Sequence, residues 1–256
     1  MKNFTIYYIL LIIAIIPTTL LSDGSAGEEA TYESRRIVDM PTAGVIPKGT
    51  FEVNAFLMQS GGLMTEFAAA PFDNFMLGVS FGGSNIIGVS TPSFQDFPGL
   101  HIKYRVLDET KTFPALALGI NSQGLGIYND SLERYQTASP GVYLSSSKSF
   151  KWPVGLVYVH AGINYSLEPK PDHRSVNFYF GAEQTIYKRI SIGAEFNSNL
   201  EDNTYFMENK GLLNFQAKWA ASENLTVAIM FRDAFANFRA SESLVRFVGI
   251  EYISKF

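Results

Sequence analysis

The stretch Val176-Asn177-Phe178-Tyr179-Phe180-Gly181-Ala182-Glu183-Gln184-Thr185-Ile186, followed after Tyr187-Lys188-Arg189 by Ile190-Ser191-Ile192-Gly193-Ala194-Glu195-Phe196-Asn197, decides the fold. Val176, Phe178, Phe180 and Ala182 alternate with Asn177, Tyr179, Gly181 and Glu183. Ile190, Ile192, Ala194 and Phe196 alternate in the same way with Ser191, Gly193, Glu195 and Asn197. A period of two sends the two sets to opposite faces of a sheet, one apolar and one polar or small. The short join between them makes the pair an antiparallel hairpin.

The same period runs outward in both directions. Leu100, Ile102, Tyr104 and Val106 alternate with His101, Lys103 and Arg105, and Leu225, Val227, Ile229 and Phe231 alternate with Thr226, Ala228, Met230 and Arg232. Strands are predicted near 49–59, 62–70, 75–83, 99–108, 112–121, 140–149, 155–166, 174–185, 189–199, 210–220, 223–233 and 245–256. Most are about twice the length of an ordinary strand. Short joins such as Ala221-Ser222 alternate with long ones such as Ser122 to Ser139, the hairpin at Gln59 to Gly61 being the exception. Long strands, an even count and connections short at one end and long at the other predict an all-β, transmembrane antiparallel up-and-down β-barrel of outer-membrane type, with about 12 strands (roughly 10–14). A secreted double-sheet domain shares the alternation but not the strand length.

Composition agrees. The 256 residues are 46% hydrophobic and 14% aromatic but only 17% charged, with 21 Gly, 21 Phe and 13 Tyr. That charge content is low for a soluble domain. There is no Cys, which excludes thiol nucleophiles, Cys-ligated metals and a lipidated Cys. A formal net charge of −4 lacks the basic excess that nucleic-acid binding needs.

Met1-Lys2-Asn3, the apolar run Phe4 to Ile16, Pro17 and the small polar exit Ser22-Asp23-Gly24-Ser25-Ala26 have the layout of a secretory signal peptide, expected to be 1–26. Residues 27–48 then form a periplasmic tether or plug, and 49–256 the barrel. At the other end Val248, Ile250, Tyr252 and Phe256 share one face, and an aromatic residue comes last. This looks like the terminal-strand signal that presents outer-membrane barrels to their assembly machinery, although Ser254 departs from it. Outer-membrane lipids are the expected surroundings.

Pro41-Thr42-Ala43-Gly44-Val45-Ile46-Pro47-Lys48-Gly49, Phe81-Gly82-Gly83-Ser84-Asn85-Ile86-Ile87-Gly88, His101-Ile102-Lys103-Tyr104-Arg105, Pro114 to Asn121 and Gly162-Ile163-Asn164-Tyr165-Ser166 resemble bacterial outer-membrane proteins of the YjbH type. The likeness covers roughly residues 40 to 200 as short motifs. It implies a non-enzymatic barrel assisting exopolysaccharide production or export, or envelope integrity, with a polysaccharide as partner. Full members of that family carry two barrels and a lipidated Cys, which this chain lacks, and the family offers no catalytic residues to carry over.

The residues themselves also allow a small-solute porin for neutral or sugar-like solutes and, third, a lipid-modifying enzyme. His173-Arg174-Ser175 has a His and a Ser two apart, but Pro169, Pro171 and Asp172 mark a solvated loop, so no catalytic residue is assigned. No metal-ligand spacing, phosphate loop or cofactor fingerprint is present. Glu52, Asn54, His101, Lys103, Arg105, Glu183, Glu195, Asn197, Asn214, Gln216, Lys218 and Arg232 are expected to point into the barrel, as are Glu66 and Glu251. Small residues, among them Gly78, Ser80, Ala115, Ala117, Gly119 and Gly181, leave room on one side. Twelve strands enclose more space than wall side chains fill, so either a pore exists or a segment fills it. The segments named for that are 27–48 and Asn85-Ile86-Ile87-Gly88. Phe72, Phe75, Trp152, Tyr187, Trp219, Tyr252 and Phe256 are expected at the short-turn rim. Tyr128, Tyr135, Tyr205, Phe206, Phe235 and Phe238 are expected at the opposite rim, as anchors or as sugar-stacking platforms.

Overall fold

The computed structural model describes residues 33–129, 131–153, 155–168, 175–186, 189–200, 206–239 and 244–256. The expected signal segment, residues 27–32, His173, Tyr187 and Tyr205 lie outside these. Twelve antiparallel strands form the wall: β1 (Thr50–Met58), β2 (Gly62–Phe72), β3 (Phe75–Ser84), β4 (Gly99–Leu107), β5 (Ala115–Asn121), β6 (Gly141–Trp152), β7 (Gly155–Tyr165), β8 (Asn177–Ile186), β9 (Ile190–Asn197), β10 (Leu212–Ala220), β11 (Leu225–Arg232) and β12 (Val245–Lys255). Each pairs with its neighbour in sequence, and β1 pairs with β12 from Thr50↔Lys255 to Leu57↔Val248, which closes the sheet. The fold is therefore the closed twelve-stranded up-and-down barrel expected from the periodicity.

Alternation governs both faces. On β12, Val248, Ile250 and Tyr252 stand outward at 37–42% exposure while Phe247, Gly249 and Glu251 are buried. Val53, Phe67, Val79, Leu100, Leu118, Phe180, Ile192, Trp219 and Ile229 continue the outward apolar band around the wall. Water-soluble monomers rarely expose a contiguous apolar surface of this extent, and the belt is the lipid-facing girdle of a membrane barrel.

Departures from the expected elements have local causes. β5 starts at Ala115, not near 112, because Thr110 and Phe113 close a turn (Thr110 N–H to Phe113 O, 2.9 Å) and Pro114 has no N–H for the ladder. β8 starts at Asn177, not near 174. Two short pieces escape periodicity altogether: Ser93–Phe94 pairs with the end of β3, and Leu125–Asn129 pairs with Arg134–Thr137 as a small hairpin over the long-loop end. The β1–β2 turn needs its glycine, since Gly61 has φ +62° and a Cβ there would lie 1.8 Å from Ile87 O. Asn85 and Ile87 donate to Ser60 and Gly61 carbonyls in that turn. Residues 85–88 thus lie on the rim, with Ile87 58% exposed, and do not enter the barrel as the sequence suggested.

Residues 33–48 run inside the wall. Their last residues join β1 at the short-turn end, where Gly49 N–H donates to Ala70 O. The segment rises and reverses in a hairpin, with Ile37 N–H to Met40 O at 2.9 Å and Thr42 N–H to Arg35 O at 3.1 Å. Ile37, Val38 and Met40 at its tip are buried against Phe56, Met64, Tyr179, Leu212, Met230 and Phe247. Lower down, Val45 and Ile46 pack on Ala68, Ala70, Met76 and Ile253, and Ala43 packs on Ala115 and Ala117. The small inward residues of the wall therefore mark the track of this hairpin. At two points glycine also lets a wall tyrosine lie flat: a Cβ on Gly119 would meet the Tyr143 ring, and one on Gly162 the Tyr179 ring, both at 2.3 Å.

Candidate functional site

The interior is built from inward register positions. Glu52, Asn54, Lys103, Glu183, Glu195, Asn197, Asn214, Gln216 and Arg232 are buried there, with His101, Arg105 and Lys218 half-buried, and Glu66 and Glu251 also inward. The wall brings most of these into three groups, each joined to the 33–46 hairpin, while His101 Nε2 lies 2.8 Å from Ser80 Oγ of β3.

The first group grips the tip. Glu195 Oε2 accepts the N–H groups of Val38, Asp39 and Met40 at 2.9, 3.0 and 2.9 Å. Three successive amides converging on one oxygen form an anion nest. Asn214 Nδ2 donates to Glu195 Oε1 and to Asp39 Oδ2 at 3.0 and 3.2 Å. Arg232 holds Asp39 and also donates to Thr137 Oγ1 at 2.8 Å, which connects the tip to the small hairpin over the long-loop end. Phe238 and Phe247 lie 5.8 and 4.7 Å from that guanidinium.

In the second group Arg35 Nε lies 2.7 Å from Glu52 and its Nη2 2.9 Å from Glu251, and Arg36 pairs with Glu66. Opposite, Lys103 Nζ donates to the carbonyls of Arg35 and Gly44 at 2.9 and 3.0 Å. Arg105 pairs with Glu33 and donates to Ala43 O at 3.0 Å.

The third group contains residues the sequence did not single out together. Ser147 Oγ lies 2.8 Å from His160 Nδ1, and His160 Nε2 lies 3.4 Å from Glu183 Oε2. The order Ser, His, Glu is that of a nucleophile relay, but Ser147 Oγ is covered by Ala43, whose N–H it accepts at 2.9 Å. Here the contact ties wall to hairpin. Residues 147 and 160 face each other across β6 and β7, which only the register reveals. Among the described residues no cluster of three acids or histidines is placed to hold a metal ion.

The long-loop rim differs from expectation. Phe206 and Phe238 are buried, at 9% and 3% exposure, with Arg134 over Phe206 and Arg232 over Phe238. They close the top of the interior and are not free to stack on a sugar. Tyr128 and Tyr135 make an edge contact at 4.9 Å, and Tyr135 OH donates to Gln95 Oε1. Across β7, β8 and β9 an amide ladder closes the wall: Asn177 Nδ2 donates to Asn164 and Asn197 Oδ1 at 2.9 and 2.7 Å.

No family model matches the chain, and no curated relative matches it in sequence. Among solved structures it is similar to the KdgM porin, with TM-score 0.51 and 11% identity over 79% of this chain and 98% of that one. It is also similar to the NanC porin (TM-score 0.43, 10% identity, 80% and 99% covered) and to the outer-membrane channel DcaP of Acinetobacter baumannii (0.31, 7%, 81% and 95%). At such identity the likeness to the KdgM porin establishes the shared barrel fold. The YjbH-type resemblance finds no counterpart in these comparisons.

Proposed function

We propose that this chain is a bacterial outer-membrane channel for small polar solutes, held closed in this structure by its own residues 33–46. The observation that carries the reading is the division between wall and obstruction. The wall is a complete twelve-stranded barrel with a polar lining, wider than one that wall side chains alone fill. The obstruction is a separate hairpin that runs into β1 at the short-turn end, and it is held by hydrogen bonds and ion pairs together with the apolar packing of Ile37, Val38, Met40, Val45 and Ile46 on the wall. The strand-to-strand ladder that closes the wall does not run through it. The porin fold of its structural neighbours supports the same reading, as it does an outer-membrane location. The exopolysaccharide role implied by the YjbH-type resemblance gains no such support, and the relay at Ser147 is covered, which disfavours an enzyme.

The test is a reversible lock. The chain has no native Cys, and Ala43 N lies 2.9 Å from Ser147 Oγ, so A43C/S147C places two thiols across the hairpin–wall contact. In planar bilayers the oxidised variant should stay silent, and reduction should restore the openings of the parent. Equal conductance in both forms, or silence of parent and reduced variant alike under all voltages, overturns the proposal.

A further inference from the structure

The wall handles residues 33–36, Glu33-Ser34-Arg35-Arg36, as a binding site handles a peptide. On β12, β1 and β2 the register sets Asn54 directly opposite both Glu251 and Glu66, with Glu52 two residues before it. Two guanidinium groups occupy this acidic sector: Arg35 bridges Glu52 and Glu251, and Arg36 pairs with Glu66 and lies 4.8 Å over the Phe56 ring. The sector is not used up by them. Asn54 is 4% exposed, and its Oδ1 has no hydrogen-bond partner among the described residues. It lines a small cavity that also touches Arg35, Arg36 and Lys103. Beside that cavity Lys103 donates to the Arg35 carbonyl, and Arg105, two residues further along β4, pairs with the Glu33 carboxylate.

We infer that the lumen is a binding site for short peptides with adjacent guanidinium groups, and that such a peptide takes the places of Arg35 and Arg36 and releases the hairpin. The inference rests on the channel reading and names its solute. Guanidinium suits the sector because its planar fork bonds carboxylate oxygens in pairs and lies over an aromatic face. A backbone carbonyl or carboxylate on the same peptide meets Lys103 and Arg105. An anionic peptide finds those two cations but leaves Arg35 and Arg36 paired, so it does not compete for the acids.

The experiment uses the full chain in planar bilayers, with the dipeptides Arg-Arg and Glu-Glu added at equal concentration. Arg-Arg should raise open probability at least tenfold in a saturable manner, and Glu-Glu should not. The variant E52Q/E66Q, its folding checked by heat-modifiable gel migration, should be open more often without peptide and should respond little to Arg-Arg. Should that variant fail to fold, a second measurement serves: Arg-Arg must speed maleimide labelling of a V38C chain, a site buried at the hairpin tip. Lack of response to Arg-Arg in both assays, while the reduced A43C/S147C chain conducts, overturns the peptide inference and leaves the channel standing. Silence of every chain removes the channel reading and the inference with it.

Discussion

Arg232 closes on Asp39 with two nitrogens, Nε at 2.9 and 2.8 Å from the two carboxylate oxygens and Nη2 at 2.7 Å from Oδ2. The residues are 193 positions apart, and their side chains are 0% and 2% exposed. One partner belongs to the wall and the other to the hairpin, so the pair measures how firmly the interior is filled.

Removing one member of a buried pair costs more than the pair is worth, because the remaining charge stays buried; the loss is about 3–5 kcal/mol. D39A should therefore lower the thermal midpoint of heat-modifiable migration substantially and raise the open probability in bilayers. The double variant D39A/R232M, which buries no lone charge, should be markedly less destabilised than D39A. A D39A chain as stable as the parent would show that Asp39 does not hold the tip.

A steric test addresses the lower contact. Ala43 packs on Ala115 and Ala117, all three at 2% exposure or less. A117L keeps the strand but adds volume where the hairpin passes, and overpacking of this kind costs about 1–3 kcal/mol. The hairpin should give before the ladder does. A V38C reporter should stay protected from maleimide in the parent background and become labelled in A117L, with A43G restoring part of the protection. Protection unchanged in A117L would mean that the wall, not the hairpin, yields.

The barrel was legible because lipid on one side and a polar lumen on the other impose a strict period of two, as in Asn177 to Asn197. Inward positions such as Glu195 and Arg232 followed from the same period. Their partners did not, because Arg36 to Pro41 has no periodicity and its bonds to Glu195 span about 155 positions. The apolar inward residues Phe56, Met64, Met230 and Phe247 were the unread signal. They break the rule of a polar interior where the hairpin tip supplies a hydrophobic partner. The short hairpin from Leu125 to Thr137 was missed because strands of four or five residues carry too little alternation to register.

Acid–base behaviour at the long-loop end supplies a third test. Glu168, beyond the end of β7, accepts Tyr135 N–H at 3.1 Å and Ser139 N–H at 2.6 Å, tying the small hairpin to the β7–β8 connection. Burial raises its carboxyl to about 7, against the opposing pull of those N–H groups and of Arg134. The folded state therefore keeps a proton that the unfolded chain loses near the ordinary carboxylate value of 4.5. Between about pH 4.5 and 7 the native state binds more protons, so this contribution is full below the window and is lost as pH rises through it, by up to about 1.4 kcal/mol per pH unit. Hydrogen exchange at the Tyr135 and Ser139 amides should accelerate from pH 5 to pH 7 beyond the intrinsic base-catalysed rise, and level off above pH 7. E168Q keeps an acceptor without the titration, so the excess should vanish in that variant; the same excess in E168Q would place the titrating group elsewhere.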